Sequence, residues 1–185
     1  RVTAVRELAG VLGQYGATSD VRMAVVDFGG GSSATPILTV PLTQMNPATS
    51  TRVVDALKPL NLGASEFRSP LCLAWLTVSG GTLPTGVQCD IPAAERSKVP
   101  VAPPGTGRRK VVILVTDGAP SRGTAEYPFS RSDPADCSSL AGSDGHQYMC
   151  GLESLWSKLT ATQPVELHVV ALDASNAWWP TVERY

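Results

Sequence analysis

The chain has 185 residues, 15 basic and 16 acidic side chains for a formal net charge of −1, and a hydrophobic fraction of 43%. That length suits one domain with a core of its own, and the balanced, unclustered charge excludes recognition of nucleic acid or of an anionic membrane surface by bulk electrostatics. No apolar run approaches the ~20 residues that a membrane-spanning helix needs.

Val2, Val5, Leu8, Ala9 and Leu12 fall at helical spacing, so residues 2–15 are predicted to form an amphipathic helix that Gly16 ends. "VRMAVVDF" (21–28) has the continuous apolar middle of a covered strand. After "GGGSS", the segment "PILTVPL" (36–42) reads as a second strand, and its prolines place it at a sheet edge, so 21–42 is expected to be a rim hairpin. A helix is predicted over 51–60 with Ser50 or Thr51 as its cap, and another from Ser69, with Pro70 at its first helical position. Residues 79–108, rich in Gly and Pro, are expected to be a long surface loop. "VVILVT" (111–116) reads as a core strand buried on both faces, and 119–148 as a second long loop. Residues 152–159 read as a helix, 165–172 as a further strand, and the remainder as a loop and last helix.

Strands alternating with helices imply an α/β sheet with helices on both faces and right-handed crossovers. Such sheets bind ligands beyond the carboxyl ends of their strands. Asp27, Asp117 and Asp173 are expected at that edge. Four cysteines (Cys72, Cys89, Cys137, Cys150) and two histidines (His146, His168) have poor spacing for a zinc site. Cys137 and Cys150 flank a polar Gly- and Ser-rich segment and are expected to close a loop of about 12 residues, contributing roughly 3 kcal/mol. Cys72, in an apolar helical stretch, is expected to be a buried thiol. An extracellular or cell-envelope location is favoured, with the cytoplasm as alternative.

Several catalytic patterns are absent. "PPGTGRRK" (103–110) lacks the Gly-Lys-Ser/Thr of a phosphate loop and leads into a strand, not a helix. No G-x-S-x-G elbow occurs. His146 reads as a solvated loop residue, and His168, mid-strand among Val and Leu, as a satisfied structural histidine. Asp117 in "LVTDGAPS" has two readings: it caps the following turn, or it helps hold a divalent cation, for which oxygen ligands with retained waters suffice.

"VVILVTDGAPS", "VRMAVVDFGG" and "SPLCLAW" resemble segments of the von Willebrand factor type A domain family, and the order of elements agrees over nearly the whole chain. The resemblance implies a single doubly wound, Rossmann-like sheet, mostly parallel with one antiparallel edge strand. It also implies a metal-ion-dependent adhesion site at the carboxyl edge. Asp117 matches that site's third loop. Ser69 best matches its Thr, with Ser65 as the runner-up. The family's D-x-S-x-S loop does not occur in this sequence. The first strand and that loop are therefore expected upstream of Arg1, and a last strand after Tyr185. The implied function is binding rather than catalysis. A bound Mg²⁺ (or Mn²⁺ or Ca²⁺), its affinity lowered by the missing ligands, would be completed by a carboxylate from a protein or peptide partner. The alternative is a Rossmann-like metal-dependent hydrolase or phosphatase that uses Asp117.

Overall fold

The computed structural model describes residues 2–28, 35–57, 67–101, 107–116, 154–161 and 163–171. Helix α1 (Val2–Tyr15) forms as its periodicity predicts. Gly16 follows it, and its amide bonds the Leu12 carbonyl at 2.8 Å. What requires glycine here is a close approach, because a β-carbon would collide with the Met45 carbonyl.

β1 (Arg22–Asp27) and β2 (Ile37–Gln44) pair antiparallel, the hairpin expected at the rim. The register slips between Met23 and Val25 and again between Val25 and Val26. Pro41, which has no N–H to donate to a ladder, lies within the first slip.

Helix α2 (Pro47–Ala56) starts four residues earlier than the sequence suggested. Asn46, not Ser50 or Thr51, is its cap. Its side chain accepts from the Thr49 amide at 3.0 Å, while Thr49 Oγ1 accepts from the Asn46 amide at 2.8 Å. Pro47 at the first helical position completes a strong start signal. Ser50 instead lies inside the helix, buried against α1.

α3 (Arg68–Ser79) begins one residue before the expected Ser69 cap. Phe67 takes the cap position without a side-chain cap bond, so Ser69 and Pro70 lie in the first turn, where a missing proline N–H costs nothing. The helix is apolar nearly all round and correspondingly buried, with Leu71, Cys72, Leu73, Trp75 and Leu76 at 2% exposure or less. Two buried polar atoms in it, Trp75 Nε1 and Ser79 Oγ, have no hydrogen-bond partner among the described residues. Each such group costs about 1–3 kcal/mol.

The described part of the expected surface loop over 79–108 is not all irregular. It contains a short helix, α4 (Ala93–Arg96), and Val87 is buried in the core beside α3. Cys72 is not a free thiol: it is bonded to Cys89, with Cα atoms 6.4 Å apart. Spacing could not reveal this pair, since only the fold brings the loop back over α3. The expected Cys137–Cys150 bridge and the loop at 119–148 lie outside the described residues.

β3 (Val111–Thr116), a helix over 154–160 (α5) and β4 (Glu166–Ala171) follow, with β3 and β4 parallel in continuous register. β3 is not buried on both faces. Val112 and Leu114 point into the core, while Ile113 is 42% exposed. His168, paired with Ile113 in register, shares that open face and is 56% exposed, so it is a surface residue and not an interior one.

Two apolar clusters hold these elements. One joins α1 and α2 to β1 and β2 through Ala9, Met23, Val25, Val40, Met45 and Val53. The other gathers α3, β3, α5 and the start of β4 around Trp75, Leu114, Leu159 and Val165. The protein is thus mixed α/β, but its described strands form two two-stranded sheets, β1–β2 and β3–β4, with no ladder between them. α3 contacts β1, β2 and β3, and so spans the break.

Candidate functional site

Strand direction places the candidate rim. Arg108, three residues before β3, is ion-paired with Asp20, two residues before β1, so the amino ends of the two strands lie together. At the other end, Phe28 follows β1 directly and packs edge-on against Phe67, with ring centroids 5.4 Å apart and planes at 85°. Phe67 is the cap residue of α3, so the carboxyl end of β1 meets the amino end of α3.

Ser69 lies at that meeting point, in the first turn of α3, and is 6% exposed. Its hydroxyl oxygen belongs to the donor chemistry that hard divalent cations prefer. Asp27, the last residue of β1, is half-buried, and its carboxylate accepts a bond from Thr39 Oγ1 across the hairpin. That bond gives Asp27 a structural role, and Thr39 went unnoticed in the sequence because only the hairpin register brings it opposite. Asp117 follows β3 directly, but Asp117 and Ser65 lie outside the described residues, as do Asp173 and His146. The structure therefore locates Ser69 at the rim and does not show the three candidate ligands together. Among the described residues, no group of three or more His, Cys, Asp or Glu side chains could hold a metal ion.

The opposite end of the strands is rich in cations. An open cavity of about 420 Å³ there is lined by Arg108, Arg109, Lys110 and Glu166, among others. Each of these cations is already engaged. Arg108 holds Asp20, Arg109 forms a two-pronged pair with Glu166 at 2.6 and 2.7 Å, and Lys110 Nζ donates to Gln163 at 2.8 Å. Arg109, and then His168 at 3.3 Å, hold the Glu166 carboxyl down to about 2 from 4.5. Arg108 and Arg109 are thus paired with acids, whereas Lys110 is bonded only to the neutral Gln163 amide and keeps its charge.

No helix among the described residues is long and apolar enough to cross a membrane. Compared with family models, with curated proteins and with solved structures, the chain matches nothing.

Proposed function

We propose that this chain is a binding module of the von Willebrand factor type A kind, which holds a divalent cation at the carboxyl rim of its strands and recognises a carboxylate of a protein or peptide partner. The supporting observation is the placement of Ser69. A buried hydroxyl in the first turn of α3 is pressed against the carboxyl end of β1 by the Phe28–Phe67 pair. The Arg108–Asp20 pair holds the amino end of β1 beside that of the strand that leads into Asp117. In this reading the two strand pairs belong to one doubly wound sheet in the order β2, β1, β3, β4. Mg²⁺ or Mn²⁺ would be held by Asp117 and Ser69, with Ser65 as the second hydroxyl candidate. An oxygen-only donor set suits either ion. The ion would supply an open coordination position for the partner's carboxylate.

Calorimetric titration with Mg²⁺ and with Mn²⁺ tests this. Saturable binding in the millimolar range is expected, lost in Asp117→Asn and weakened in Ser69→Ala, with unchanged circular dichroism in both variants. No saturable heat with either ion, or heat that survives Asp117→Asn undiminished, overturns the reading.

A further inference from the structure

The outer edge of β2 is not left open. β2 pairs on one side only among the described residues, and its eight residues, "ILTVPLTQ", include no charge. An uncharged edge strand is a template for unwanted strand addition unless something covers it. Here the chain between Gly80 and Val101 reaches that edge at Leu38. Glu95, in α4, accepts a bond from the Leu38 amide at 2.7 Å, which occupies an N–H that β1 does not use. Lys98 Nζ holds the same carboxylate at 2.8 Å to both oxygens. Six residues before Glu95, Cys89 ties this segment covalently to Cys72 of α3. Arg68 Nε adds a bond to the Gln88 carbonyl at 2.8 Å, and Leu83, Val87, Ile91 and Val99 pack on the core of α3, β3 and α5.

We infer that residues 80–101 form a redox-latched strap over the edge of β2, with the Cys72–Cys89 bond as the latch and Glu95 as the clasp on Leu38. Cys72 is fully buried, whereas Cys89 is only partly so, and a thiol reductant approaches from the Cys89 side. The reductant delivers two electrons and two protons. The S–S bond breaks, two cysteine thiols form, and the reductant leaves as its own disulfide. The strap then keeps only its noncovalent ties, and the Leu38 amide becomes intermittently free.

Amide hydrogen exchange on the oxidised protein, the reduced protein and an oxidised Glu95→Ala variant decides this, with limited trypsin digestion at Arg96 and Lys98 alongside. Reduction should speed exchange at Leu38 on the order of a hundredfold, as loss of a loop-closing bond predicts, and should admit trypsin. Glu95→Ala should speed exchange at Leu38 with the bond intact, by a smaller factor. The amides of Val112 and Leu114, which share a core with Val87 but lie in the β3–β4 ladder, should be accelerated far less than that of Leu38. Unchanged Leu38 exchange after reduction would sink the latch. Equal acceleration at Leu38, Val112 and Leu114 would sink it too, because the bond would then brace the whole core rather than fasten a strap.

Discussion

Gly13 shows how a single atom sets the fit between α1 and α2. A β-carbon there would lie 2.6 Å from Ser50 Cβ and 3.2 Å from the Asn46 carbonyl. Both neighbours belong to the cap and first turns of α2, which can retreat only by giving up the packing of Val53 in the core it shares with Ala9. Gly→Ala in an exposed helix gains up to about 1 kcal/mol of propensity. The steric cost of overpacking, about 1–3 kcal/mol, is larger. Gly13→Ala is therefore expected to lower the melting temperature, and a rise would show that α2 can shift outward freely. Ser69 poses a different problem at this scale. Its type and its place before a helix were readable in the sequence, but its burial follows from Phe67, whose ring the sequence does not distinguish from any other loop aromatic.

At the scale of elements, α1, the β1–β2 hairpin, β3 and β4 were legible, because apolar periodicity and β-branched runs report local geometry directly. α2 was misplaced by four residues because two sets of cap residues compete, and the Asn46-Pro47 pair wins on fixed φ and a reciprocal cap. The β3–β4 pair also sets an acid response. Glu166 is ionised in the fold well below its ordinary range, since Arg109 and His168 both bond it. A carboxyl depressed from 4.5 to about 2 adds stability that is present above pH 4.5 and is lost as the pH falls toward 2. The pair is exposed, so the effect is small and screened by salt. Thermal melts between pH 5 and 2 should flatten in Glu166→Gln relative to the unaltered chain. An identical pH slope in the two proteins would assign the acid loss to other carboxylates.

For the molecule as a whole, α3 is the element on which both strand pairs depend. It contacts β1, β2 and β3, and its cap residue Phe67 belongs to the core that includes Val112 and Leu114 while meeting Phe28 at the end of β1. Removing that ring leaves a cavity shared by both halves. Phe67→Ala is expected to cost about 3–5 kcal/mol in urea unfolding. It should speed amide exchange at Val25 and Leu114 by similar factors. Loss at only one of the two would mean that the strand pairs are independently stable units joined by a passive helix. The strap's latch sits on α3 and its clasp on β2, while Val87 shares a core with Val112 and Leu114, so releasing the latch should loosen Leu38 far more than β3.

Periodicity, turn residues and the apolar strand were enough to establish a mixed α/β chain with an antiparallel hairpin, since those features depend on neighbours a few residues apart. Tertiary structure alone decided which cysteine bonds Cys72, what reaches the edge of β2, which face of β3 is open, and that Ser69 is buried beside the end of β1. Each of these joins residues distant in sequence, and such contacts are selected by the packing of Phe67, Trp75 and the strand ends around one helix, which no local pattern encodes.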